Sequence, residues 1–176
     1  NIQSSQKRLL FLTLLFMRKI EIATSATVFS DVSELSSEDK MLMDKAVEAR
    51  MKAYAPYSKF NVGAALLLEN NEIVLGNNQE NAAYPSGMCA ERVAVWMAGA
   101  TFPGVKIIKL AISASSLITK VDKPIGPCGA CRQSLSEYEI KQKQPFQVLF
   151  MGEVGEIVKT ESLLSLLPFS FDSSYL

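Results

Sequence analysis

The apolar positions of this chain fall into runs of two kinds. "FNVGAALLLE", from Phe60, is almost continuously apolar and reads as a buried strand. The asparagines at 70 and 71 read as a tight turn, and "EIVLG" as the antiparallel partner that completes a hairpin. "IIKLAISAS" (107–115), "FQVLFM" and "GEIVKT" are three further strand candidates. Elsewhere the spacing becomes helical. Met41, Ala46, Val47, Ala49 and Met51 give residues 38 to about 54 a broad apolar face, with Ser36 as N-cap three residues before Asp39 and Pro56 as the stop. "CAERVAVWMAGA" carries Val93, Trp96 and Met97 at helical spacing and ends near Gly99 and Pro103. "CGACRQSLSEY" begins a second cysteine-headed helix, and "ESLLSLLP" predicts a last short one. Helices interleaved with strands predict an α/β domain with one mixed sheet covered on both faces.

Composition narrows this picture. A length of 176 residues with 48% hydrophobic residues suits one domain with a sizeable core. Residues 23–37 are rich in Ser and Thr and read as a linker, so residues 1–37 are expected to be an extension and linker, and 38–176 the domain. "KRLLFLTLLFM" (7–17) has the order of a signal peptide's first two regions, but its apolar run is too short to span a bilayer and "ATSA" (23–26) is a weak cleavage site. The plainer expectation is that Met17 begins the functional protein and residues 1–16 are upstream sequence; an N-terminal strand packed on the domain or on a neighbouring subunit is the other. Lysine plus arginine equal aspartate plus glutamate at 18 each, so no positive field gathers a polyanion. The expected ligand is small and roughly neutral, with neither nucleic acid nor membrane as partner. GxxxxGK[ST] is absent, which excludes a P-loop.

The chain has three cysteines and no histidine. Two of the cysteines form CxxC, which favours a reducing compartment, the cytoplasm, and a metal or redox role. Cys89, Cys128 and Cys131 all fall at predicted helix starts, where the helix dipole favours thiolate over thiol. Three protein ligands with an open fourth position are the pattern of catalytic zinc. A redox CxxC with Cys89 as a core residue is the alternative, as is a structural zinc completed by a ligand from another chain. Glu91 is placed to move protons beside a zinc-activated water, or else simply complements the helix dipole. Three thiolates on a dication leave one negative charge, which Arg92 can offset by hydrogen bonding to sulfur. Arg132 is open to the same role or to that of a solvated helix charge.

Cys-x-Glu followed by Pro-Cys-x-x-Cys is the zinc deaminase signature, with cysteine at the position held by histidine in another branch. "YAPYSKFNVGAALL" (54–67), "GNNQENAAYPSGMCAERVAV" (76–95) and "PCGACRQ" (127–133) together resemble the small, homotetrameric cytidine deaminases of nucleoside salvage. The resemblance spans about residues 38 to 171. It implies a three-layer αβα sandwich around a five-stranded mixed sheet, one Zn2+ per subunit, and hydrolysis of cytidine and 2′-deoxycytidine to uridine and 2′-deoxyuridine plus ammonia. It makes Cys89, Cys128 and Cys131 the zinc ligands and Glu91 the proton shuttle. It also makes Asn78 and Glu80 ribose binders, Phe60 a wall of the base pocket and the Ala90 backbone a partner of the pyrimidine. The Pro-x-x-Phe pattern of "LLPFSFDSSYL" makes Phe171 the aromatic inserted into a neighbouring subunit's site, so that homotetramer assembly shares the active sites.

Overall fold

The computed structural model describes residues 18–176; the apolar stretch at 7–17 falls outside the described residues. Along the chain run β1 (Thr27–Phe29), α1 (Ser37–Arg50), β2 (Phe60–Leu68), β3 (Ile73–Asn77), α2 (Ala90–Thr101), β4 (Ile107–Ser116), α3 (Gly129–Gln142), β5 (Gln147–Met151) and β6 (Ile157–Thr160). The strands form one sheet in the order β1-β6-β5-β4-β2-β3. β4 and β5 are parallel and all the other neighbours antiparallel, so the sheet is mixed.

The sheet has six strands where five were expected. The sixth is β1, formed from a segment read as linker, which pairs Thr27 to Phe29 with Lys159 to Ile157 at the sheet edge. Three residues, two of them exposed, leave no readable alternation in the sequence. The segment "ESLLSLLP" likewise forms a single 3-10 turn, Leu164–Leu166, instead of an α-helix. Its first amides are taken by the buried Glu139 carboxylate of α3, which accepts from Leu163 at 2.9 Å and Leu164 at 3.2 Å. The first helix stops four residues before Tyr54, because Tyr54 leaves the helix to exchange backbone bonds with the segment after β3: its N–H reaches Asn78 O at 3.0 Å and its carbonyl accepts from Glu80 at 2.8 Å.

Alternation along β2 builds the two cores. Ala64, Leu66 and Leu68 face α2 and α3, where they meet Ala94, Val95 and Leu135. Ala65 and Leu67 face α1 and its Leu42, Met43 and Ala46. Helix therefore lies on both sides of the sheet, as the buried character of β2 requires. Two glycines set how closely the helices approach. A Cβ at Gly63 would lie 2.0 Å from Ala46 O in α1, and one at Gly76 would lie 2.3 Å from Ala90 O in α2. The start of α2 is therefore seated directly against β3.

Two buried charges tie the layers together. Arg50, at the end of α1, donates to Ser113 Oγ at 2.8 Å, and Ser113 donates to Gly152 O at 3.1 Å, joining the ends of β4 and β5. At the other end of α1, Asp39 accepts from Lys109 of β4 at 2.6 Å and Lys159 of β6 at 2.9 Å. Burial alone would raise the Asp39 carboxyl, but the hydrogen bonds from the two ammonium groups outweigh it and hold the group below the ordinary carboxylate value.

A carboxyl depressed in the folded state stabilises the fold above its unfolded pKa of about 3.9 and loses that contribution as pH falls through the folded value. Removing one partner leaves buried charge uncompensated, which costs about 3–5 kcal/mol. Denaturant unfolding of Asp39→Ala at pH 7 is expected to show a loss of that order. As pH falls through the folded value, wild-type stability should drop toward that of the variant, so the difference between them shrinks; an equal difference at pH 7 and pH 2 would contradict this reading.

Candidate active site

Helix caps usually carry Ser, Thr, Asp or Asn. Here the N-cap residue of α2 is Cys89 and that of α3 is Cys128, and neither side chain makes a capping bond. Cys131 lies in the first turn of α3 and is fully buried. Because Gly76 seats the start of α2 on β3, and the loop after β4 delivers the start of α3 beside it, the three sulfurs lie within 4.8 Å of one another. Cys128 and Cys131 are 3.5 Å apart. Tetrahedral zinc with bonds of about 2.3 Å would hold its sulfurs roughly 3.8 Å apart, so this triangle fits one ion with a fourth position left over. It is the one such grouping of three potential ligands among the described residues.

The thiols are electrostatically unequal. Hydrogen bonding with the Cys131 thiol, and then with Arg92, lowers Cys89 to about 5 in spite of burial. The same bond to Cys89, together with burial, pushes Cys131 up. Zinc binding to this set must release a proton from Cys131. Arg92 sits one helical turn beyond Cys89, with Nη2 3.6 Å from its sulfur, and the guanidinium carbon lies 5.8 Å from the Trp96 ring centroid. The helix thus stacks thiol, guanidinium and indole at i, i+3 and i+7, each one turn from the next.

Glu91 lies in the first turn of α2 with only 5% of its surface exposed. Burial, and then the negative charge on Cys89, raises its carboxyl above the ordinary value. It opens onto a cleft of about 970 Å³ whose walls include Phe60, Asn78, Glu80, Ala90, Cys89 and Cys128. The cleft therefore brings together every expected site residue except Cys131, which is buried behind it, and Phe171. The Phe171 ring is exposed and stacks on Tyr175 with centroids 5.7 Å apart, while its carbonyl accepts from Gln133 Nε2 at 2.9 Å.

Asn78 braces the cleft wall: its Oδ1 accepts from Val62 N at 2.7 Å and its Nδ2 donates to Phe60 O at 2.9 Å. Glu80 Oε2 accepts from the Tyr57 and Ser58 amides at 2.9 and 3.3 Å. Hydrogen bonding with Ser58 foremost, joined by the Tyr57 and Ser58 amides, outweighs burial and holds its carboxyl below the ordinary value. Sequence reasoning missed Tyr57 and Ser58 as the donors that orient Glu80; the turn after Pro56 is the signal that frees two consecutive amides there. It also missed Ile125 and Gly126, which form the wall beside Cys128. Arg132 is neither a thiol partner nor a solvated charge: its Nε donates to Pro127 O at 2.8 Å and its Nη1 to Leu166 O at 3.0 Å.

An αβα sandwich that sets two thiols and a buried carboxylate on one cleft, with a third thiol directly behind them, has the layout of a zinc-dependent hydrolase. The cytidine and deoxycytidylate deaminase zinc-binding region matches residues 36–144. A cytidine deaminase of Sporosarcina psychrophila is 38% identical over 148 residues, covering 82% of this chain and 96% of that protein. One from Halalkalibacterium halodurans is 36% identical over 124 residues, covering 70% and 89%. The crystal structure of cytidine deaminase from Burkholderia pseudomallei superimposes with a TM-score of 0.66 at 37% identity, covering 78% of this chain and all of that one. This chain belongs to the cytidine and deoxycytidylate deaminase family.

If the three thiols hold one ion, Cys131→Ser removes the buried ligand. Metal analysis of the purified protein should then fall from about one zinc per chain to a small fraction of that, since a ligand set of two with water is not a stable zinc site. Full zinc content in the variant would place the metal elsewhere.

Proposed function

We propose that this protein hydrolyses cytidine and 2′-deoxycytidine to uridine and 2′-deoxyuridine with release of ammonia. One observation carries the reading: the Glu91 carboxylate, buried and biased toward holding a proton, opens onto the same cleft as the thiol cluster. When bound, zinc supplies a water whose pKa is lowered to about 7. Glu91 takes a proton from the attacking water and passes it to N3 of the cytosine ring, which makes C4 electrophilic. The water oxygen adds to C4. Glu91 then delivers the second proton to the amino group, the C4–N bond breaks and ammonia leaves. Burial favours the protonated form of Glu91, which helps the carboxylate take up the proton it must carry.

The remaining groups orient the nucleoside. With one lone pair and one N–H already used on the backbone of β2, Asn78 retains one of each for a sugar hydroxyl. Glu80, held charged by two amides, is an acceptor for another. Phe60 packs beside the base, and the Ala90 N–H, one of the first-turn amides that lack a helix partner, serves the pyrimidine edge. Arg92 offsets the thiolate charge. Among the described residues, the charged side chains around the cleft are Glu80, Glu91 and Arg92, and the one cation in that set is engaged with Cys89. That set suits a neutral nucleoside better than a nucleotide. Phe171, exposed on its own subunit, is assigned to a neighbouring subunit's cleft within a homotetramer. No described helix is long and apolar enough to cross a membrane; free thiols at a metal site suit the reducing cytoplasm.

Glu91→Gln keeps the shape and loses the shuttle. It is expected to retain zinc and fold while turnover falls at least 10²-fold, on the order of what general acid–base catalysis contributes. Ammonia release measured over cytosine nucleosides and their 5′-phosphates checks both halves: near-wild-type turnover by the variant sinks the mechanism, and preference for the phosphates sinks the substrate class.

A further inference from the structure

Three residues of α3 hold the C-terminal segment. Glu139 accepts the amides of Leu163 and Leu164, and its second oxygen also meets Ser162 Oγ. Arg132 donates to Leu166 O, and Gln133 to Phe171 O. The anchors pass from Glu139, late in the helix, to Arg132 and Gln133 in the residues directly after Cys131 as the tail runs from Leu163 to Phe171. Only one of these anchors has a second partner on the metal side. The Arg132 Nε bond to Pro127 O fixes the carbonyl immediately before Cys128.

Among the side-chain hydrogen bonds of the described residues, only those of Arg132 join these two segments. A guanidinium is planar, so donating from Nε to one carbonyl and from Nη1 to another fixes the angle between the two acceptors as well as their distance. A shift of the peptide before Cys128 strains one arm of the fork and a lift of the tail breaks the other, so both movements act on the same guanidinium. Charge neutralisation is not its task, since both acceptors are neutral carbonyls and neither is a thiol.

We infer that Arg132 is a positioning residue that couples the zinc-ligand turn at Pro127–Cys128 to the C-terminal segment, so that metal binding and ordering of the tail reinforce one another. The inference rests on the zinc reading of the cysteine cluster. It extends that reading to the tail: the segment bearing Phe171 is set in place by the same side chain that orients Cys128. Reciprocity then requires that whatever fraction of zinc affinity depends on the fork, the same factor appears in tail ordering on zinc binding.

The test uses the full chain and two readouts that do not need turnover. Competition with a chromogenic chelator gives zinc affinity, and hydrogen–deuterium exchange of the peptide covering residues 162–176 gives tail order. Arg132→Met is expected to bind zinc at least tenfold more weakly, in the range for residues that orient a ligand, and to exchange faster in the tail. Wild type stripped of zinc should show the same faster exchange. Gln133→Ala releases Phe171 O and leaves both bonds of the Arg132 fork in place, so it should speed exchange only beyond Leu166 and spare zinc affinity the loss of at least about tenfold expected of Arg132→Met. If Arg132→Met does not fold, Arg132→Lys carries the test: it keeps the charge and loses the fork, so weakened zinc binding and a faster tail are again expected. Wild-type zinc affinity in a folded Arg132 variant, or tail exchange indifferent to zinc, overturns the inference. A protein that passes both readouts yet releases no ammonia from any cytosine nucleoside would refute the deaminase reading and leave the coupling standing.

Discussion

Three sulfurs within 4.8 Å of one another are the constraint around which this molecule is arranged. Three thiolates at such distances repel strongly, and even two thiols and one thiolate must share protons. The fold meets the problem with several partial positive charges: the amide ends of α2 and α3, the Arg92 guanidinium, and the bound dication. Each works only if both helices start at the same place. That is why the cysteines occupy cap positions normally held by better capping residues, and why Gly76 brings the backbone of β3 against Ala90. The sheet, with β4 and β5 parallel at its centre, is the surface on which the two starts are brought into register.

The same arrangement divides the thiols into unequal partners. Cys89, next to Arg92, carries the negative charge readily, whereas Cys131, buried and sharing its proton, resists it. Glu91 lies between burial, which favours its proton, and the metal position, which would favour its charge. A hydrolysis that first gives a proton to the ring and then another to the leaving group needs a carboxylate that both takes up and gives up protons, and these opposing influences act on that one group.

Much of this was legible in the chain before any coordinates. The continuous apolar run of β2, the hairpin at 70 and 71 and the two cysteine-headed helices each rest on several residues agreeing, and the structure has all of them. The thiol cluster was readable because three rare residues sit at helix starts in a chain without histidine. What escaped is short or long-range. β1 is three residues whose partner lies some 130 positions later, and its single half-buried residue gives no period. Arg132 looked like a charge beside a thiol because proximity in sequence says nothing about an acceptor at Leu166. Asn78 looked like a ligand contact, and the structure adds that it is also a brace between two backbone groups of β2. Side chains that bond to main chain across the fold leave no signature in spacing.

The loop from Gln79 to Met88 is held at its two ends by a mutual pair of backbone bonds, 2.9 and 2.8 Å long, and closes on itself like a clasp. Most of the residues between those ends, the exposed Tyr84 among them, line the cleft, and they include none of the three cysteines. Apart from Glu80, which the Tyr57 and Ser58 amides hold, the interval can be redesigned with the metal ligands left in place. The reaction chemistry and the choice of what is admitted to it are, in this molecule, separable traits that can change at different rates.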